Sequence, residues 1–312
     1  MGTPAAAVPS LRRLLDDGHS VVAVWTQPDR PSGRGNKIHH SPVKEFAVRH
    51  NLSIQQPLKI KVAAAKELFA SYQADAAIVV AYGRILPQEF LEAPRHGCIN
   101  VHFSLLPKYR GAAPVNWAIV EGERETGVTT MRIVQELDAG PVLGQRATEI
   151  LAGETAPELT QRLAAIGAEL LSETLKNLDG LEIKPQRDED ATFAPILKRE
   201  DGRIDWTMAA AAIECRVRGF QPWPNAYTTL ASRRLIIRQA IRQINTETLS
   251  QPASEAGRII EAHGDRLLVA CGAGEALQIL ELQLEDSRRM SARDFLNGAH
   301  VKVGDLLGRD IG

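Results

Sequence analysis

The sequence predicts an α/β fold in its first half, a doubly wound and mostly parallel sheet, joined to a small antiparallel β-barrel in its second. Three observations predict it. Apolar, β-branched runs alternate with amphipathic helical stretches as far as residue 179, the pattern of a sheet covered by helices on both faces. Beyond residue 200, short β-rich pieces follow one another with turns between them, the spacing of a small barrel, a shape often used on nucleic acids. A length of 312 residues suffices for two domains with a core each.

The elements follow in order. Leu11 to Asp17 reads as a helix, Ser20 to Thr26 as a strand and Pro42 to His50 as a helix. Ala76 to Val80, Ile99 to His102 and Gly127 to Val134 read as further strands. From Thr148 to Asp179 the chain turns largely helical after its first few residues, with Leu159, Leu163, Ile166, Leu170 and Leu171 spaced as one apolar stripe. Gly180 to Asp190 is polar and charged and reads as part of a linker. The resulting division is a first domain at 1–179, a linker at 180–199 and a second domain at 200–312. That second domain opens on a helix, Thr207 to Val217, followed by strands at Ala226 to Leu230, Arg234 to Ala240, Gly257 to Ala262, Arg266 to Ala270 and Ala276 to Leu284.

One element is expected and not found. A doubly wound domain begins with a buried strand, yet Met1-Gly-Thr-Pro-Ala-Ala-Ala-Val-Pro9 runs directly into the first helix. The sheet is therefore expected to lack its first strand, and the native start is expected upstream of Met1, because a lost central strand leaves backbone groups unpaired.

Composition narrows the class. The chain is 44% hydrophobic and 24% charged, with a net charge of −1, so no global field advertises a polyanionic partner. Cys98, Cys215 and Cys271 are an odd, scattered set, which suits reduced thiols in a cytoplasm better than disulfides. No apolar run approaches the ~20 residues that span a bilayer, and no secretory leader is expected, since the first residues lack a charged and apolar stretch of that kind. Neither a Gly-x-Gly-x-x-Gly turn nor a Gly-Lys-Thr phosphate loop occurs. His39-His40 lacks a third ligand at a suitable spacing, so no metal is expected.

The chemistry concentrates in Cys98-Ile-Asn-Val-His-Phe-Ser-Leu-Leu-Pro107, read with the acid of Glu136-Leu-Asp-Ala-Gly-Pro141. Alternation along a strand points Asn100 and His102 to one face. An amide N–H suits a developing oxyanion, an imidazole takes or holds a proton, and Asp138 would fix the ring and balance its imidazolium charge. The pattern by itself leaves a second reading open, in which these are polar residues satisfied at a strand end. The proline-stiffened loop Ser104-Leu-Leu-Pro-Lys-Tyr-Arg-Gly-Ala-Ala-Pro114 favours a site, since loops leaving parallel strands hold ligands in open α/β sheets.

Asn100, His102, Ser104 to Pro107, Gly127-Val-Thr129 and Asp138-Ala-Gly140 together resemble the signature of the folate-dependent formyltransferases. Over nearly the whole chain the resemblance is to the branch acting on methionyl-tRNA, through Thr26-Gln-Pro-Asp-Arg-Pro-Ser-Gly-Arg-Gly35, Val80-Ala-Tyr-Gly-Arg-Ile-Leu-Pro87, Gly202-Arg-Ile-Asp-Trp206 and Gln221-Pro-Trp-Pro224. The catalytic block alone is shared with formyltransferases acting on ribonucleotide amines and amino sugars.

The resemblance implies a Rossmann-type catalytic domain and an OB-like barrel that helps hold tRNA. It implies 10-formyltetrahydrofolate as formyl donor and aminoacylated initiator tRNA as acceptor, handled by a monomer. Asn100, His102 and Asp138 would then be catalytic, with the group that moves the protons left open. Arg84, Ile85, Leu86, Ser104, Leu105, Leu106, Pro107, Glu136 and Leu137 would line the folate pocket, and Ile85, Leu86 and Leu105 would give it apolar walls. Arg34, Lys37, Arg216 and Arg218 would contact tRNA. They lie in two basic segments: residues 203–242 carry seven arginines against Asp205 and Glu214, and residues 27–50 carry five Lys and Arg against Asp29 and Glu45. Phe103 stands where relatives often have a small residue, so it either narrows the pocket or faces the sheet core. Two rivals remain: transfer to a small amine, and an RNA-binding protein without catalysis.

Overall fold

The computed structural model describes residues 1–32, 37–181, 183–243, 255–299 and 301–308. In chain order the first elements are α1 (Val8–Asp16), β1 (Val24–Trp25), β2 (Arg30–Ser32), β3 (Lys37–His39), α2 (Pro42–Arg49), β4 (Ile54–Gln55), α3 (Ala63–Ser71), β5 (Ala77–Val79) and α4 (Gln88–Glu92). Then come β6 (Cys98–His102), β7 (Arg110–Gly111), α5 (Pro114–Val120), β8 (Glu125–Arg132), β9 (Val142–Glu149), α6 (Ala156–Lys176) and β10 (Phe193–Ala194). The remainder is α7 (Ala210–Gly219), β11 (Tyr227–Leu230), β12 (Arg233–Gln243), β13 (Ile259–His263), β14 (Arg266–Ala270), β15 (Ala276–Leu284), β16 (Met290–Ser291) and α8 (Ala292–Gly298).

These elements divide into two compact units. One comprises Met1–Pro114, Glu125–Glu149 and Leu159–Ala194, and the other Val115–Arg124, Ile150–Glu158 and Pro195–Gly312.

The first unit holds a sheet in the order β5-β6-β8-β9. Strand β6 runs parallel to β5, but β8 and β9 run antiparallel to their neighbours. The sheet is thus mixed, where the sequence suggested a mostly parallel one. For β8 and β9 the reason lies in residues 133–141, which join them without a helix, and a parallel return needs a long crossover. Helix α6 covers this sheet with Leu159, Leu163 and Leu171 fully buried. At Gly167 the contact is closest, since a Cβ there would lie 2.8 Å from Val101. On the same side, the ring of Phe103 would lie 3.5 Å from that Cβ, so Phe103 packs toward α6.

Strand β1 pairs in parallel with β4, and the expected strand from Ser20 to Thr26 contracts to Val24–Trp25. Between β1 and β5 the backbone of Met1 and Gly2 supplies sheet-like contacts. Gly2 N–H donates to Trp25 O at 2.9 Å, and Val80 N–H donates to Met1 O at 2.9 Å. The buried α-amine of Met1 donates to Ile78 O at 2.6 Å, and desolvation pulls its pKa down to about 6. A cavity of about 450 Å³ opens alongside, lined by Leu14, Val22, Tyr72, Ile78 and Leu178 among others. Trp25, Phe69 and Phe90 close the neighbouring core, with Trp25 edge-on to both rings at 5.3 and 5.4 Å.

The second unit is an antiparallel sheet in the order β11-β12-β15-β14-β13, with β16 added to β15. Register shifts at Ile237, Gln239 and Ala240 bend β12. Ile213, Val217, Leu235, Ile237, Leu277, Ile279 and Leu282 fill its core with almost no exposure. The barrel expected here does not close among the described residues. Its edges are covered separately instead: Arg203 bridges Tyr227 of β11, and Leu306 bridges Arg258 just before β13.

Candidate active site

Strand β6 is apolar and β-branched around its polar residues, so it is held in the sheet interior while Asn100 and His102 share a face. His102 is 6% exposed. Its Nε2 lies 3.0 Å from Tyr109 O, and because a carbonyl only accepts, Nε2 carries the proton. That leaves Nδ1 facing Asp138 Oδ2 at 3.7 Å, an electrostatic contact longer than a hydrogen bond. The carboxylate itself is fixed by Gly111 N–H, which donates to Asp138 Oδ2 at 2.8 Å. Asn100 is half-buried, and its amide has no hydrogen-bond partner among the described residues.

Asp138 has a left-handed backbone with φ 48°, a conformation that Asp tolerates better than most residues. Two positions on, Gly140 is required by space: a Cβ there would lie 1.8 Å from Arg132 O. Sequence and backbone thus agree on why this acid sits in an Asp-Ala-Gly turn.

The loop after β6 is held from beneath by Thr129. This fully buried residue of β8 donates from Oγ1 to Ser104 O at 2.7 Å and accepts from Leu106 N–H at 3.1 Å. Gln145 Nε2 adds bonds to Leu106 O at 2.7 Å and to Thr129 Oγ1 at 3.0 Å. Ser104 Oγ donates to Lys108 O at 2.6 Å, and the Leu106–Pro107 peptide is cis. Leu105 packs against Gly127, where a Cβ would lie 2.5 Å from its Cδ2.

The other expected pocket residues divide by role. Leu86 is 6% exposed, while Ile85 and Leu137 stand out at 75% and 62%, and Glu136 is exposed. Arg84 is already engaged, donating from Nε to Gln27 Oε1 at 3.1 Å and from a terminal nitrogen to Pro57 O at 3.0 Å. Exposed apolar side chains beside loop backbone fit a flat ring bearing many hydrogen-bond donors.

Residues 180–199, read as a linker, form contacts with this loop. Lys184 and Val142 exchange backbone bonds, and β10 pairs in parallel with β7. Thr192 Oγ1 accepts from Tyr109 N–H at 2.9 Å. Gln186 donates to Asp138 O at 2.8 Å and to Gly140 O at 2.7 Å. Gln145 and Gln186 left no sign in the sequence, because a lone amide carries no periodic signal. Tyr109 O and Gly111 N–H act through backbone, which no side-chain motif reports.

A family model for formyl transferases matches residues 1–175, more than half of the chain. The chain belongs to the formyl transferase family. A second model, for the C-terminal domain of formyl transferases, matches residues 196–300. This formyl transferase is 46% identical to a methionyl-tRNA formyltransferase of Citrifermentans bemidjiense, over 99% of the chain and 95% of the relative. It is 49% identical to a methionyl-tRNA formyltransferase of Acidobacterium capsulatum, over 98% of each. Among solved structures, the N-formyltransferase of Helicobacter canadensis in complex with folinic acid and dTDP-3-aminofucose shares the fold, with a TM-score of 0.64 at 17% identity over 89% of this chain and 96% of that one.

In the second unit, the expected tRNA contacts of this formyl transferase are occupied within the chain. Arg218 forms a two-pronged pair with Glu214 at 2.5 and 3.1 Å and donates to Glu154 O at 2.9 Å. Arg216 stacks over Phe220 at 5.5 Å and donates to Asp201 O at 3.3 Å. Arg34 and the side chain of Lys37 lie outside the described residues. Among the described residues no group of three His, Cys, Asp or Glu side chains could hold a metal ion, and no helix is long and apolar enough to cross a membrane.

Proposed function

We propose that the chain transfers the formyl group of 10-formyltetrahydrofolate to the free α-amine of methionyl-tRNA, the initiator species, giving N-formylmethionyl-tRNA for translation initiation. The observation that carries this reading is identity of 44–49% over nearly the full length of relatives named methionyl-tRNA formyltransferase. That identity spans the second unit as well as the first, and the second must help choose the acceptor.

Asn100, His102 and Asp138 do the chemistry in this reading. The reaction forms a tetrahedral adduct whose formyl oxygen becomes an oxyanion, then releases the folate nitrogen. The amide of Asn100 has no other partner among the described residues and donates to that oxygen. His102 reaches it by exchanging its Nε2 bond with Tyr109 O, and Asp138 balances the imidazolium. Arg84, Ile85, Leu86, Ser104 to Pro107, Glu136 and Leu137 hold the folate. Residues 200–312 form the tRNA-binding part, with Arg34 and Lys37 as further contacts to the tRNA. The enzyme works as a monomer in the cytoplasm.

The test supplies 10-formyltetrahydrofolate with charged initiator tRNA, charged elongator tRNA or small amines and follows formyl transfer. Transfer to the initiator alone is expected. Transfer to small amines in preference would move the enzyme to another branch, and no transfer at all would make it a binding protein.

A further inference from the structure

Gln186 lies in the stretch that composition marks as a charged linker, and it is the residue of 183–190 whose side chain is not exposed. Every part of its carboxamide is used. The two N–H groups of Nε2 donate to Asp138 O at 2.8 Å and Gly140 O at 2.7 Å. Its Oε1 accepts from Arg110 Nε at 3.0 Å. Arg110 is 7% exposed at its side chain and is anchored further by Asp188 at 2.8 Å.

These bonds join the two loops on which the reacting groups depend. Asp138 sits on one of them, in a left-handed conformation that its neighbours must hold. Arg110 sits on the other, between Tyr109, whose carbonyl accepts from His102, and Gly111, whose N–H donates to the Asp138 carboxylate. The carboxylate is tied to the second loop from the front, and the Asp138 carbonyl is tied to it from behind through Gln186 and Arg110. The 3.7 Å separation of His102 Nδ1 and Asp138 Oδ2 is thus set by a closed ring of hydrogen bonds.

We propose that Gln186 is a positioning residue for the reaction, locking the Asp138 turn to the Arg110 loop so that Asp138 faces His102. The inference rests on the catalytic roles given above to His102 and Asp138. It assigns a segment that composition reads as a linker a part in catalysis that a tether does not have.

Gln186→Glu tests it at nearly constant volume. The carboxylate still accepts from Arg110 but opposes two carbonyl oxygens in place of donating to them. Turnover is expected to fall about 10- to 100-fold, the scale of a misplacement near 1 Å, while KM for charged tRNA stays within about twofold. Gln186→Ala should fall by a similar factor, and Glu189→Gln, on the same exposed stretch, should leave turnover unchanged.

A second readout does not depend on activity. With selectively ¹⁵N-labelled histidine, His102 of the native protein should show a single Nε2–H tautomer, and Gln186→Glu should show a mixture. Turnover and tautomer both unchanged in Gln186→Glu and Gln186→Ala would overturn the proposal. So would a loss of turnover matched by an equal loss of folded fraction in circular dichroism, which marks general unfolding. A native protein inactive on methionyl-tRNA would defeat the activity reading, while the tautomer comparison would still decide the role of Gln186.

Discussion

At the end of β6 in the first unit, His102, Asp138 and Thr129 each have a partner that fixes them, while the amide of Asn100 has none among the described residues. On the outer face of β12 in the second unit the situation reverses. Arg234 and Arg238 alternate with the buried Leu235 and Ile237, and each buries an Nε that has no hydrogen-bond partner. Arg234 lies over the ring of Tyr227 at 4.0 Å, and Arg238 bonds neutral amides of Asn225 and Gln283, both at 2.6 Å. Neither guanidinium has a carboxylate partner among the described residues. Burial lowers the pKa of Arg238, and the nearby charges of Arg289 and Arg234 lower it further. A reacting site gains from groups already oriented, whereas a surface for a phosphate chain gains from charge left unneutralised.

Four measurements can break or sharpen this contrast. The largest effect belongs to the first region: Asn100→Ala, His102→Ala and Asp138→Ala should each cost about 10²- to 10³-fold in kcat, the typical loss of one oxyanion donor or its support. Binding of charged tRNA, followed by filter retention, should hardly change, and near-native turnover in His102→Ala would remove the catalytic half of the comparison.

Thr129→Val tests whether the loop is fixed by hydrogen bonds. It keeps the shape but leaves Leu106 N–H without its acceptor, so urea unfolding should show a loss of about 1–3 kcal/mol. A loss below about 0.5 kcal/mol would mean that packing alone orders the loop, since surface changes of no consequence fall in that range.

For the second region, Arg234→Gln with Arg238→Gln should raise KM for charged tRNA while kcat stays near native. Each lost phosphate contact lowers the slope of log affinity against log salt by about one. Arg218→Gln should destabilise the unit without changing that slope, because Arg218 is already paired with Glu214. Equal slopes in all variants would place the tRNA elsewhere.

The smallest effect concerns Asp29, where Lys44 above all, then Gln56 and His40, hold the carboxyl down at about 2 from its usual 3.8. Its folded pKa is depressed, so the stabilisation is complete above about 4 and is lost as pH falls toward about 2. Native protein and Asp29→Asn should therefore differ in unfolding midpoint at pH 6 and converge as pH is lowered through that window. A constant difference across it would show that the Lys44 pair contributes nothing.

Strong local patterns were legible. The apolar stripe of α6, the strand around Asn100 and His102, and the short strands of the second unit follow from periodicities that bury one face. Ser20 to Thr26 reads as a full strand but pairs only at Val24–Trp25, because pairing needs a neighbour and composition cannot report one. Local charge counts report an excess but not which cations carry it: Lys44 pairs with Asp29 within one basic segment and Arg218 with Glu214 in the other.

What the sequence determined by itself is the family resemblance and the local pattern, in which strand alternation already aligns Asn100 and His102 on one face. What only the tertiary structure decided is how they are held. Tyr109 O, Gly111 N–H and Gln186 reach the site through backbone groups and a residue 48 positions from Asp138, and such contacts come from chain closure in space. Long-range hydrogen bonds between buried groups, costly to leave unmade, fix where the reaction happens.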